Sequence, residues 1–142
     1  MAMPIYRWKE LATKYDRVGM YDHITRFSRM LEEAFDICSK ARFYFNGVIE
    51  NVVGCGMGGS AIGLEMARRW LFSDLKVPFE VVRDYSLPGY VSSKTLLHIA
   101  SYSGNTEETV SCLRQGLSSN ANVFAISSGC LLYTSPSPRD RQ

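Results

Sequence analysis

The sequence predicts an α/β protein with a doubly wound parallel sheet of strand order 2-1-3-4, helices on both faces and a helix before the first strand. Short apolar segments rich in β-branched residues alternate with helix-period segments, which is typical of a parallel sheet covered on both faces. The 142 residues include 46% hydrophobic and 21% charged residues, an ordinary globular composition. Right-handed crossovers leave few topologies, and we choose 2-1-3-4.

The N-terminal helix is predicted from apolar residues that recur with a 3.6-residue period. They are Ile24, Phe27, Leu31, Phe35 and Cys38. This spacing indicates an amphipathic helix of about 18 residues. Asp22 stands where it could cap that helix, and Gly47 ends the region. We therefore assign residues 1–47 to an N-terminal helical segment.

Four strands and two further helices follow. The predicted strands are residues 48–54, 79–82, 96–100 and 122–127. The helix after the first strand carries Ile62, Met66 and Trp70 on one face, with Leu64 and Leu71 beside them. This apolar face is wide, and we expect much of it to be buried against the sheet. The helix after the third strand carries apolar residues at i, i+3 and i+7, namely Val110, Leu113 and Leu117.

The C-terminal residues break this pattern. Residues 130–142 contain Pro136 and Pro138, which forbid a helix there. This segment looks like read-through into vector or adaptor sequence, and we exclude it from the fold; the alternative is a genuine flexible tail. The predicted α/β domain therefore covers residues 48–129.

Charge and composition exclude several classes of protein. The net charge of +2, without a basic stripe, argues against a nucleic-acid partner. No apolar stretch approaches the ~18–20 residues of a membrane span, and the N-terminus has no signal-peptide core. The four cysteines form no C-x-x-C pair. We expect free, partly buried thiols in a reducing cytoplasm.

A glycine-rich stretch from Gly54 to Ser60 lies between the first strand and its helix. Glycine lets a ligand approach the backbone closely, and N–H groups at a helix start favour an anion. The stretch also fits G-x-G-x-x-G, a weak dinucleotide signal for which Glu80 or Asp84 would be the acidic ribose partner. A tight turn that needs glycine only for packing is the structural alternative.

A second polar stretch, residues 101–109, lies between the third strand and its helix. The hydroxyls of Ser101, Ser103 and Thr106 fall within six residues and are suited to a phosphoryl group. Asn105 with Glu108 could instead simply cap the helix. Glu107 and Glu108 must point away from any bound phosphate.

The predicted topology brings the two polar stretches together. Strands one and three are neighbours in a 2-1-3-4 sheet, and ligands bind at the carboxyl ends of strands where the crossovers diverge. A dinucleotide accounts for the glycines but not for the hydroxyls, whereas a phosphosugar uses both. The chain has no G-K-[ST], which argues against a P-loop NTPase.

With these motifs the chain resembles a sugar isomerase (SIS) domain, and more narrowly the bifunctional phosphoglucose/phosphomannose isomerase family. The matching segments are GMGGSAIG at 56–63, VVRDYSLP at 81–88, SYSGNTEET at 101–109 and VFAISSG at 123–129. The resemblance implies a truncated SIS-type sheet. It also implies metal- and cofactor-free isomerisation of glucose or mannose 6-phosphate to fructose 6-phosphate, in the cytoplasm and as a homodimer when full-length.

The resemblance also implies roles for particular residues. The family's sugar-contacting loop corresponds to Gly58, Gly59 and Ser60. Its phosphate-binding hydroxyls correspond to Ser101, Ser103 and Thr106. The family's catalytic residues lie beyond the matching region, so we expect no catalytic residue in this chain and no activity from it alone. A non-catalytic phosphosugar-binding module and a dinucleotide-binding domain remain as alternatives.

Other chemically reactive side chains are interpreted as structural. His98 lies in the middle of a predicted strand, and His23 lies in a weakly patterned segment. Glu107 and Glu108 are more readily explained by helix capping than by catalysis. Cys55 is expected to fill space, although a thiol beside a helix start could be activated. Asp84 is expected to shape a loop.

Overall fold

The computed structural model describes residues 5–129, with side chains from residue 7 onwards. Two compact units are present: the first ends at Tyr44 and the second begins at Phe45. The predicted tail, residues 130–142, lies outside the described residues. Among the described residues, no helix combines the length and apolar character needed to cross a bilayer.

The first unit consists of three helices: α1 (Ile5–Tyr15), α2 (Met20–Thr25) and α3 (Phe27–Lys40). The single helix predicted from Ile24 onwards is wrong in its first part, because the chain leaves helical geometry at Arg26, where φ is −92° and ψ is 2°. Asp22 does not cap it, since it lies inside α2, which begins after Gly19 in the left-handed conformation.

The second unit contains the predicted sheet. Its elements are β1 (Asn51–Gly56), α4 (Gly58–Trp70), β2 (Phe79–Val82), β3 (Thr95–Ala100), α5 (Glu107–Ser118) and β4 (Asn122–Ile126). The four strands are parallel and their order is β2-β1-β3-β4, which confirms the predicted topology. The first strand begins three residues later than predicted, and it ends two residues later because Cys55 and Gly56, which were taken for a loop, belong to it.

The sheet is covered differently on its two faces. Alternate residues of the central strands, among them Cys55 and Leu97, are buried with Cys112 and Leu113 of α5. On the opposite face α4 packs over Gly54 and Gly56 of β1, where an added Cβ would come within 3.1 Å of Leu64 or Ala61. The two strand glycines therefore let α4 approach the sheet closely.

The expectation that α4 buries its face of Ile62, Met66 and Trp70 is wrong. These side chains are 57%, 68% and 81% exposed, and the buried residues of α4 are Ala61 and Leu64. Because α4 approaches the sheet closely over the two glycines, only Ala61 and Leu64 fit between helix and sheet. The larger apolar face of Ile62, Met66 and Trp70 therefore points outwards.

Candidate functional site

Two helices begin beyond the carboxyl ends of the central strands, one on each face of the sheet. β1 and β3 are neighbours with Gly56 opposite Ala100, and α4 and α5 begin shortly after these residues. Neither helix has a side-chain cap: the N-cap residues Met57 and Thr106 make no capping hydrogen bond. First-turn N–H groups therefore stay available, and both helix dipoles favour an anion at the same edge of the sheet.

The predicted glycine fingerprint divides into two parts. Gly54 and Gly56 are required by packing, as the structural alternative holds. Gly58 adopts φ +52°, and an added Cβ at Gly58 or Gly59 would meet no atom within 4 Å. The backbone of these two residues is thus open to close approach, and Ser60 follows them in the first turn of α4.

The three predicted hydroxyls of the second stretch come together. Ser101 Oγ donates to Thr106 Oγ1 over 3.2 Å, and Ser103 Oγ lies 3.2 Å from the same atom. The Gly104 N–H donates to Ser101 Oγ over 3.2 Å. We call Ser101, Ser103 and Thr106 the hydroxyl cluster.

The direction of these bonds matters for ligand binding. Ser101 is buried, and its one hydroxyl proton goes to Thr106 while its oxygen accepts from Gly104. Successive donation polarises the chain, so the Thr106 hydroxyl is a strengthened donor towards Ser103 or an anion. Ser101 thereby orients the cluster from beneath, and Thr106 and Ser103 form its outer part.

The two acidic residues after the cluster point elsewhere. The Tyr85 hydroxyl donates to Glu107 Oε2 over 3.3 Å. The charge of Glu108, followed by burial and by Glu107, raises the pKa of Tyr85. The predicted capping by Asn105 is wrong, since Thr106 is the N-cap residue and the Asn105 N–H donates to Ser103 Oγ.

A cavity of about 460 Å³ lies between the first turns of α4 and the residues that follow β3 and β4. Ser60 and Ser101 both line it, with the loop after β4 contributing Ser127 and Ser128. Its floor is mostly apolar and includes His98. Two of the predicted site residues, one from each polar stretch, therefore border one cavity.

The loop after β2 is fixed to α5 by contacts that the sequence did not predict. Ser111 Oγ donates to Tyr85 O over 2.8 Å, and Gln115 Nε2 donates to the same oxygen over 2.6 Å. Gln115 Oε1 accepts from the Leu87 N–H. The one sequence signal for these contacts is that Ser111 and Gln115 are polar and lie four residues apart on the same face of an amphipathic helix.

The remaining candidates have structural surroundings. Cys55 is buried, and the neighbouring Cys112 together with burial raises the pKa of Cys55, which argues against an activated thiol. Glu80 accepts from the Tyr90 hydroxyl, and burial, with that bond, raises the pKa of Tyr90 to about 12. Asp84 Oδ1 accepts the N–H of the following residue. Among residues 7–129 no group of acidic, histidine or cysteine side chains is arranged to hold a metal.

His98 is packed in the sheet, with its ring centroid 4.9 Å from that of Phe124. Its Nε2 atom is buried without a hydrogen-bond partner in the described part of the chain, and burial lowers its pKa. In the unfolded chain the His98 imidazole therefore binds a proton near pH 6.5, whereas in the folded chain it binds one only at lower pH. We expect the free energy of unfolding to fall as the pH is lowered from about 7.5 to 5.5.

Urea unfolding across this pH range measures the effect. His98→Leu should remove part of the pH dependence. An unaltered slope in His98→Leu would show that burial of this imidazole does not govern stability below neutral pH.

Comparisons with known proteins agree with this geometry. No family model matches the chain. It is 38% identical over 111 residues to a bifunctional phosphoglucose/phosphomannose isomerase of Caldicellulosiruptor bescii, which covers 78% of this chain and 33% of the relative. It is 40% identical over 103 residues to the Thermoplasma volcanium protein of the same name, covering 69% and 32%. The chain spans about a third of the length of these relatives.

Solved structures show the same fold. A Salmonella typhimurium LT2 protein assigned as a phosphosugar isomerase matches with a TM-score of 0.52 at 20% identity, covering 63% of this chain and 34% of that one. A Bacillus subtilis protein with the same assignment matches with a TM-score of 0.51 at 21% identity, covering 58% and 27%. The chain therefore shares the fold of these proteins, and its resemblance to the bifunctional phosphoglucose/phosphomannose isomerases is confirmed over about a third of their length.

Proposed function

We propose that this chain carries the phosphate-binding half of a sugar-phosphate isomerase that converts glucose 6-phosphate or mannose 6-phosphate to fructose 6-phosphate. One observation carries the proposal: two uncapped helix starts flank the hydroxyl cluster at the carboxyl ends of neighbouring strands. This arrangement offers N–H and O–H donors to a tetrahedral anion without any cation. The named relatives are isomerases of this substrate class.

Each predicted residue has a role in this proposal. Thr106 and Ser103 donate to the phosphoryl oxygens, and Ser101 holds Thr106 in place from beneath. The open backbone of Gly58 and Gly59 allows the sugar to approach the start of α4. Ser60 at the cavity wall contacts the sugar. No step in this binding requires a metal or a nucleotide.

The affinity of this half-site is expected to be low. Three hydrogen bonds to a charged group contribute roughly 5–9 kcal/mol in total, at about 1.5–3 kcal/mol each. Association costs about 4–15 kcal/mol. The difference leaves at most about 5 kcal/mol for binding, so we expect a dissociation constant in the millimolar range or weaker, since about 4 kcal/mol corresponds to 1 mM.

We further propose that proton transfer depends on groups outside the described residues. His98 is packed into the sheet and Glu107 is bonded to Tyr85, so neither serves as the base. The full-length protein is proposed to be a cytoplasmic homodimer, with residues 1–47 as a helical segment and 48–129 as the partial SIS domain. A partial domain is consistent with the length of the relatives, which are about three times as long as the region that matches this chain.

Nuclear magnetic resonance titration of the 142-residue chain tests the proposal. Glucose 6-phosphate and inorganic phosphate should produce saturable, mutually competing shifts of the Gly59, Thr106 and Glu107 amides. Unphosphorylated glucose should produce none of these shifts at the same concentration, because the anion supplies the binding energy. The same chain should form no fructose 6-phosphate in a coupled assay.

NAD is the control ligand for the alternative of a dinucleotide-binding domain. Saturable NAD shifts at the same amides, without competition by glucose 6-phosphate, would replace the proposal with that alternative. Fructose 6-phosphate formation by the chain alone would contradict the placement of the catalytic groups.

A further inference from the structure

The loop after β4 holds the hydroxyl cluster from behind. Ser101 N–H donates to Ile126 O over 3.0 Å at the end of β4. Beyond that point the carbonyl oxygen of Tyr102 accepts three hydrogen bonds, from Ser128 N–H, Gly129 N–H and Ser128 Oγ. The last of these measures 2.6 Å. We call residues 127–129 the brace turn.

The brace turn also fits the cluster sterically. A Cβ at Gly129 would overlap the carbonyl oxygen of Ser103, so only glycine fits at this position. Gly104 has φ +76°, and a Cβ there would lie 2.9 Å from the Gly129 carbonyl carbon. The segment carrying two of the three cluster hydroxyls is therefore enclosed between β4 and the brace turn.

The hydroxyl protons of the brace turn are already engaged within the protein. Ser127 Oγ donates to Gly129 O over 2.9 Å and accepts from the Gly129 N–H over 3.1 Å. Ser128 Oγ donates to Tyr102 O. A hydroxyl has one proton to donate, so neither serine has a second one for an anion.

We propose that Ser128 and Gly129 are positioning residues that set the phosphate affinity of the hydroxyl cluster without contacting the phosphate. The inference rests on the proposed function. Its physical basis is preorganisation: a loop held in its binding geometry loses less conformational freedom when the ligand arrives. Three donors on one carbonyl fix the peptide between the two serines of the cluster, and with it the direction of their hydroxyls.

Phosphate titration of brace-turn variants tests the proposal in the 142-residue chain. Ser128→Ala removes the side-chain donor and should raise the dissociation constant for inorganic phosphate about three- to tenfold. Ser128→Thr should restore the affinity. Gly129→Ala, which forces the turn away from Ser103, should abolish saturable binding. Shifts of the Thr106 and Glu107 amides report binding, and urea unfolding without phosphate reports stability.

Ser118→Ala is the matched control, because Ser118 Oγ also donates to a backbone carbonyl, that of Arg114, over 2.9 Å. It should leave phosphate affinity unchanged. Wild-type affinity in both Ser128→Ala and Gly129→Ala would overturn the positioning role while leaving the proposed function intact. Absence of saturable phosphate binding in the wild-type chain would overturn both. An affinity loss in Ser128→Ala that Ser128→Thr does not restore would also count against the positioning role.

Discussion

Gly116→Ala is expected to destabilise the protein by about 1–3 kcal/mol, the usual cost of adding a methyl group to a closed core. A Cβ at Gly116 would overlap Cδ2 of Leu97, which is fully buried in β3. The glycine therefore sets how closely α5 approaches the sheet. Urea unfolding measures the loss. The effect opposes intrinsic helix propensity, which favours alanine over glycine by about 1 kcal/mol.

A double-mutant cycle identifies Leu97 as the cause. Leu97→Ala alone should cost about 2–5 kcal/mol through the cavity it leaves. In that background Gly116→Ala should no longer destabilise, because the overlapping atoms are gone and helix propensity remains. Gly63→Ala is the control within α4, where an added Cβ meets no atom within 4 Å, and it should stabilise. Equal costs of Gly116→Ala in both backgrounds would contradict the close contact.

Strand order was predictable because β2, β3 and β4 are short, mostly apolar segments that are separated by loops and a helix. The first strand was predicted to end at Gly54 because the glycine-rich stretch that follows has the composition of a loop, and only the tertiary contact with Leu64 explains why β1 contains both Gly54 and Gly56. The same contact explains the outward turn of Met66 and its neighbours on α4. Hydrophobic periodicity identifies the apolar face of a helix, but the distance at which the helix packs on the sheet decides which of its residues are buried.

In the site, too, the features that could be predicted lie close together in the sequence, and those that could not are contacts between distant residues. The hydroxyl cluster was predictable because its members lie within six residues and its helix start was evident. The support of that cluster was not, since Ser128 lies 26 residues from the carbonyl that it holds. The anchoring of the β2 loop by Gln115 likewise spans 30 residues. Contacts at these separations exist only once the sheet has formed.

Thr106→Val is expected to weaken phosphate binding more than tenfold. The substitution keeps the branched shape of the side chain and removes the oxygen to which Ser101 and Ser103 are bonded. Losing a hydrogen bond to a charged group costs about 1.5–3 kcal/mol, and about 1.4 kcal/mol corresponds to tenfold in affinity. Titration with inorganic phosphate, followed at the Glu107 amide, measures the change.

Thr109→Val provides the comparison within the same helix. Thr109 is buried, and its hydroxyl donates to Thr106 O over 2.8 Å, so its loss removes a hydrogen bond of helical geometry rather than a donor at the cluster. It should lower stability and leave phosphate affinity near that of the wild type. Equal affinity losses in both variants would mean that the start of α5, rather than the Thr106 hydroxyl, holds the anion. An unchanged affinity in Thr106→Val would contradict the placement of the phosphate at the hydroxyl cluster, because this substitution removes the hydroxyl oxygen and keeps the branched shape of the side chain.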